Sequence, residues 1–483
     1  MRFLLFSVVV NVLYLISFSP TLIDGFSQSG LRFNIFAPRV APRNVALRIP
    51  SMSTISADKT TNSAKSSMTV SSTNLVKNCV GAGVFSLSSR VAAISPNPKV
   101  QLPASVLIVV MALWATYNFY IVGKTCELTN SATYSEAWSK TVSEKSSWVV
   151  QVVVTLAPIV SCLASSIVLT DVAGFTLRSL GAAPIIYANR NLVITLLTGF
   201  VLFPLCSLKD LTALRNVSKF GLLGQLVAMA TFLKRYVDRS YAFGGAYAPI
   251  LKSAKSVTKA AAAVTATAFD PKRWFILASL LSFCFVTHYN APKYYTELEN
   301  PTSQRFGKMA LISYLTSAAV YIATMVLGLT LFGSDTKSFL LNNLSPADPL
   351  AIIARLAFGA SVLTSFPLIF MVMRNWFIAS AKETVPFLGD LKRMTAALLT
   401  GIAMLTTQFT DIGFVGSVSG ATLGVSMSFI FPTIMYLRTL QIESKRTNTK
   451  LPLATFIMNI LLLIGGISLS FLGTYNSIFS FKK

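Results

Sequence analysis

Apolar runs of membrane-span length recur from residue 74 to residue 473, separated by short stretches holding Lys, Arg, Asn or Pro. A helix needs about 20 predominantly apolar residues to cross a hydrocarbon core ~30 Å thick. The pattern predicts eleven such spans, at about 74–95, 102–123, 148–171, 191–208, 214–233, 273–289, 309–332, 349–374, 391–409, 411–437 and 451–473. An all-α integral membrane fold is therefore expected. One connection departs from the short-loop rule: 234–272 is long, basic and alanine-rich.

Two spans look interrupted. The first, Asn74–Ser95, carries Gly81-Ala82-Gly83 at its centre, with Lys77 four residues ahead and Asn78 beside it. Each central glycine costs a helix about 1 kcal/mol relative to alanine. Two readings fit: a small-residue packing face, or backbone unwound at mid-membrane, which is tolerated where it lines a cavity. Five spans later, the run containing Ser282–Leu298 turns abruptly polar at Thr287, His288, Tyr289 and Asn290, and Pro292 follows. Interrupted spans at corresponding positions of two halves point to a transporter binding site.

Composition supports the membrane assignment. The 483 residues are 53% hydrophobic and 12% charged, with a mean hydropathy of +0.63, whereas soluble chains carry about 25% charged residues. The net charge of +24 raises the question of nucleic acid. Its basic residues sit in a polar leader and in short loops, as the positive-inside rule produces, so no nucleic-acid partner is expected. The five cysteines are scattered without a CxxC pair, and His288 is the single histidine. Neither a disulfide framework nor a histidine or cysteine metal site is supported. No HExxH, GxSxG or P-loop string occurs, so an enzyme is not expected.

The N-terminus reads as a leader. Residues 1–25 join a basic start to a brief apolar core, as a signal peptide does. Residues 26–72 are rich in Ser, Thr, Arg and Lys with Asp58 the only acid, the composition of a transit peptide or a disordered tail. Signal followed by transit peptide, with Phe26 at the junction, resembles the bipartite plastid leaders of algae with secondary plastids. A plastid membrane is the expected location; a signal-anchor or cytosolic tail, with a vacuolar or plasma-membrane location, is the alternative.

Four segments in order resemble the amino acid/auxin permease family, nearest its sodium-coupled neutral and vacuolar amino acid transporter branches. NLVKNCVGAGVFSL is similar to the family's first helix, and FVTHYNAPKYYTEL to its sixth, with a His and Tyr-x-Glu-Leu at matching spacing. RLAFGASVLTSFPLIFMVMRNW is similar to the eighth, and DIGFVGSVSGATLGVSMSFIFPTIMYLR to the tenth. The resemblance implies that residues 73–475 form one transmembrane domain of LeuT type. That fold has two inverted five-helix repeats plus an eleventh helix, with helices 1 and 6 broken, and moves its substrate by alternating access. It also implies amino acid substrates, neutral ones by the nearest branches, no cofactor, and a proton or sodium as the candidate coupling ion. A carrier of another small solute, or a non-transporting sensor on the same fold, remains open. An ion channel predicts a continuous polar stripe, and only local polar breaks are present.

Candidate residues follow from chemistry and resemblance together. The α-carboxylate needs amide donors, which Gly81, Ala82 and Gly83 offer without side chains in the way. The α-ammonium needs oxygens, which unwound backbone at Phe283, Cys284, Phe285 and Val286 could supply. Lys77 stands where the sodium-coupled branch typically has Asn. A Lys has donors and no acceptor, so it cannot ligate sodium; the alternative is that it snorkels to the interface. Asn78 belongs to the same neighbourhood, and His288 matches the family's histidine, a gating or pH-sensing position or a satisfied helix-end residue. Ser361, Thr364 and Ser365 match an eighth-helix position where the fold often holds a cation. Ser161, Ser165 and Ser166 around Pro158 are candidates to line the cavity, with packing the favoured reading, and the Gly/Ser run 413–428 is assigned to packing.

Overall fold

The computed structural model describes residues 65–95, 97–208, 221–242, 244–247 and 270–481. The signal-like segment 1–25, the leader as far as residue 64 and residues 248–269 of the long connection lie outside the described residues. The principal helices are α1 Met68–Cys79, α2 Leu87–Ile94, α3 Gln101–Thr129, α4 Ser147–Ser179, α5 Gly221–Val237, α6 Pro271–Cys284, α7 Ala291–Glu297, α8 Ser303–Phe332, α9 Pro349–Thr384, α10 Ile412–Thr447 and α11 Leu453–Phe481. Among the described residues there is no strand, only an isolated bridge between Ser66 and Leu298.

Seven of these helical stretches are long and apolar enough to cross a membrane, the α6–α7 pair counting as one, and Ala82–Ile94 and Arg190–Cys206 are shorter apolar helices. The chain is a multi-pass membrane protein. The seven are fewer than the eleven expected spans for local reasons. The first expected span is split, the 214–233 run is described only from Gly221, and Leu391–Gln408 starts with Lys392 and Arg393 in its first turn. Large apolar side chains such as Leu102, Phe200 and Leu461 stand more than 60% exposed, which suits lipid and would be costly in water.

The fold begins earlier than the leader boundary at 72 predicts. Ser67 caps α1, its hydroxyl accepting the Val70 N–H at 3.4 Å. Ser66 donates to the Glu297 carbonyl at 2.7 Å and accepts from the Glu299 N–H at 3.0 Å. The end of the leader is thus tied to the end of α7. Likewise α5 runs on to Val237, so the first residues of the long connection are helical.

Both interruptions are present. α1 ends at Cys79, the chain is extended at Gly81 (φ −105°, ψ −166°), and a 3₁₀ turn over Ala82–Ser86 leads into α2. α6 ends at Cys284, residues 285–287 are unwound, and a 3₁₀ turn over His288–Asn290 leads into α7. The two broken elements run antiparallel. Ser66 meets Leu298 at one end, and Arg273 donates to the Ala93 carbonyl at the other.

Close helix approach in the 413–428 run is made by glycine. A Cβ at Gly420 would overlap the Ser279 carbonyl, and one at Gly424 would lie 3.0 Å from the Ser282 oxygen. α10 is π-helical across Gly420–Gly424, where it packs on α6, and across Ser426–Ile430. In the 130–146 connection, the helix Tyr134–Thr141 is capped by Thr133. The Lys140 hydrogen bond holds the Glu136 carboxyl below the usual carboxylate range, against the opposing effect of its partial burial.

Candidate functional site

A cavity of about 520 Å³ lies where the two broken helices meet. α1 and the first break contribute Asn74, Lys77, Asn78, Val80, Gly81 and Ala82; the second break and α7 contribute Asn290, Lys293, Tyr294 and Glu297. The far wall is Ser165 of α4, Gln225 of α5, and Ser361, Val362, Ser365, Leu368 and Ile369 of α9. Glu297 is next to Leu298, so the cavity extends from the breaks towards the end where Ser66 is bridged to Leu298.

Three side chains bind the two breaks to their surroundings. The Asn78 amide donates to the Tyr294 hydroxyl at 2.7 Å, joining α1 to α7. The Tyr321 hydroxyl of α8 lies 2.7 Å from the Cys79 carbonyl and 2.9 Å from the Cys284 carbonyl, the last carbonyls before each break. One hydroxyl proton thus serves two acceptors that have lost their helical partners. The Gln225 amide nitrogen donates to the Val80 carbonyl.

The opposite end is held by ion pairs. Arg90 contacts both oxygens of Asp411 at 3.0 Å, Arg190 pairs with Asp171, and Arg235 meets the fully buried Asp348 through Nε at 3.0 Å. Segment 333–348 touches all three. Ser338 donates to Asp411, Asn342 donates to Asp171 at 2.8 Å, and Asp348 is the segment's own last residue. Arg355 fastens the segment from beneath, its Nη2 donating to the Leu341 and Leu344 carbonyls at 2.6 and 3.0 Å.

Of the residues singled out in the sequence, Lys77, Asn78, Gly81, Ala82, Ser361 and Ser365 line the cavity. Gly83 does not. It is buried, and a Cβ there would lie 3.0 Å from the Cys284 sulfur and 3.4 Å from Phe283, so its role in this arrangement is to let the two breaks touch. Phe283, Cys284, Phe285 and Val286 also stand outside the lining. The Cys284 carbonyl is taken by Tyr321, and Phe285 is fully buried between the rings of Tyr314 and Tyr321. Thr364 lies outside as well, and its hydroxyl and that of Ser365 donate back to the Ser361 carbonyl at 3.1 and 2.9 Å. His288 is fully buried away from the cavity, with Phe119, Tyr314 and Phe429 around it and Nε2 2.9 Å from the Ala115 carbonyl. Facing a carbonyl, that nitrogen must carry the proton.

The sequence pattern of the family described as "Transmembrane amino acid transporter protein" matches residues 64–479. The chain belongs to this family. It is therefore a membrane transporter and not an enzyme. Among its relatives in this amino acid transporter family, the zebrafish (Danio rerio) protein named "Putative sodium-coupled neutral amino acid transporter 11" is 24% identical over 383 residues, 77% of this chain and 79% of the relative. "Amino acid transporter AVT6E" of Arabidopsis thaliana is 23% identical over 433 residues, 85% and 83% of the two chains. "Vacuolar amino acid transporter 2" of Saccharomyces cerevisiae is 24% identical over 385 residues, 77% and 76%.

Sequence reasoning placed Ser361 and Ser365 on the far wall but missed other residues of this transporter's site. Packing was favoured over cavity lining for Ser165, Glu297 entered only as part of Tyr-x-Glu-Leu, and Gln225, Lys293, Tyr294 and Tyr321 were not singled out. One signal was available. Gln225 is an amide in the middle of the apolar run GLLGQLVAMATFL, and a polar residue inside a span marks a functional position by default.

Proposed function

We propose that this family member carries amino acids, neutral ones foremost, across a membrane by alternating access, on a LeuT-type framework of two inverted five-helix repeats and an eleventh helix. The observation that carries the reading is the cavity itself. It is bounded by both helix breaks, reaches towards one end of the bundle, and is separated from the other end by three ion pairs under one loop. A zwitterion there meets complementary groups. The Gly81 N–H turns back to the Cys79 carbonyl at 2.9 Å, so the main-chain amide offered to a carboxylate at the break is that of Ala82, while the Gln225 amide and the serine hydroxyls of the far wall accept from an ammonium. Burying either charge without partners would cost several kcal/mol.

Transport is further proposed to be independent of sodium, proton-coupled or facilitative. Lys77 brings a cation and no acceptor to the cavity beside Ser361 and Ser365. In proteoliposomes supplied with a panel of labelled amino acids, uptake is expected to persist when choline replaces sodium. Its complete loss would overturn the sodium-independent reading. Binding of amino acids with no accumulation under any sodium or proton gradient would make the protein a sensor instead.

Residues 1–72 are proposed to direct the protein to a plastid membrane, on the composition of that segment alone. Fused to a fluorescent protein in an alga with a secondary plastid, residues 1–75 are expected to label the plastid. Vacuolar or surface fluorescence would refute this.

A further inference from the structure

The first break leaves the Val80 carbonyl without its helical partner, since the Val84 N–H four residues on is turned to the Gly81 carbonyl at 3.3 Å. Gln225 supplies the missing donor from α5. Only the NH₂ end of a glutamine amide can face a carbonyl, which fixes which end is which. The other end, Oε1, is therefore the one left over. Gln225 is 8% exposed and lines the cavity. Among the described residues lining the cavity, its Oε1 is the one buried side-chain polar atom without a hydrogen-bond partner. An unpaired buried acceptor is costly, and native structures rarely keep one without a use.

The close approach of α5 to α9 puts it there. Gly224 lies so near the Ala357 carbonyl and the Ser361 side chain that no Cβ fits between them. The last helical carbonyls before the two breaks are already engaged, since Tyr321 serves those of Cys79 and Cys284.

We infer that Gln225 is a substrate-reading residue: its amide nitrogen holds the Val80 carbonyl at the break, and its amide oxygen accepts a hydrogen bond from the α-ammonium of the transported amino acid. The inference rests on the amino acid transport reading above and adds a selectivity to it. Molecules that keep the carboxylate and side chain but lack the ammonium leave Oε1 unpaired and are rejected. A sodium ion could use the same lone pairs, and the test separates the two.

The test is uptake of labelled L-leucine and L-alanine into proteoliposomes, competed by the unlabelled amino acid and by its deaminated counterpart, 4-methylpentanoate or propionate. A hydrogen bond to a charged group is worth about ten- to a hundredfold in affinity. The wild type is expected to prefer the amino acid over the deaminated acid by at least that factor, and Gln225→Leu to lose most of the preference. Gln225→Met, similar in length and with only a weak thioether acceptor, serves where the leucine variant is not monodisperse in detergent, and the same loss is expected. Variants that transport more slowly with the preference intact would reduce Gln225 to a brace for the break and overturn the inference. A variant that alters only sodium dependence would assign Oε1 to a cation, with the same consequence. If the wild type takes up no amino acid of the wider panel, the functional reading falls first and this inference with it. Uptake by the wild type with an unchanged Gln225→Leu preference sinks the inference alone.

Discussion

Replacing Asp348 by alanine is expected to lower the apparent melting temperature by several degrees and to remove most of the monodisperse protein from detergent extracts. The carboxylate is fully buried and answers four donors: Arg235, the Tyr241 hydroxyl at 2.9 Å, the Leu350 N–H at 2.9 Å and, through its second oxygen, Arg235 Nε at 3.0 Å. It also caps the first turn of α9. Removing one member of a buried ion pair costs about 3–5 kcal/mol, because the partner charge is left desolvated. Here Arg235 keeps Asp238 at 2.8 Å, which offsets part of that loss. The double substitution Arg235→Met with Asp348→Leu should recover much of the stability, since apolar pairs often replace buried ion pairs without loss. Thermal size-exclusion profiles of the single and double variants check this, and a single variant that melts like wild type would show the pair to be dispensable.

The second large effect is expected at Gly420. A Cβ at this position overlaps the Ser279 carbonyl and reaches the carbonyl carbon and the Phe283 amide, all of them backbone atoms of α6. Backbone cannot swing aside as a side-chain tip can, so α10 must move as a body. Gly420→Ala is expected to cost 3 kcal/mol or more, beyond the ~1–3 kcal/mol typical of overpacking, and Gly420→Val to abolish folded protein. Gly401, which has nothing within 4 Å of its Cβ position, supplies the contrast. Gly401→Ala should leave expression and melting unchanged or slightly improved, by up to about 1 kcal/mol from helix propensity. Equal behaviour of the two alanine variants in the same melting assay would refute the steric account.

Much of the architecture was legible because it depends on local pattern. Apolar runs located the helices, and Gly81-Ala82-Gly83 and Thr287–Asn290 located the breaks, since the backbone there lacks either side-chain support or apolar continuity. The start of α1 at Met68 was missed because Ser67, an ordinary cap residue, lay in a stretch whose bulk composition argued for a leader. The site was legible where its residues cluster along the chain, Ser361 and Ser365 of the far wall included. Lys77, Asn78, Gly81 and Ala82 are neighbours in sequence, so a motif could gather them. Gln225, Ser165 and Tyr321 come from helices distant in sequence; the amide of Gln225 inside an apolar run was the one local signal, and Ser165 and Tyr321 look like packing residues. The four residues Phe283–Val286 show the converse. Unwound backbone was expected to face the substrate, but Tyr321 and the surrounding rings had the first claim on it.

Segment 333–348 bears on how such a carrier is adjusted. Ser338, Asn342 and Asp348 each engage a different ion pair, within eleven consecutive residues. The three fastenings therefore share one piece of chain, and loosening one loosens the anchorage of the next. The closure of that end of the bundle is thus concentrated in a short connecting segment, partly buried at Leu340, Leu341 and Asp348, that takes no part in lining the cavity. Inheritance can alter such a segment one residue at a time, retuning how firmly that end of the bundle is held while leaving the cavity lining untouched.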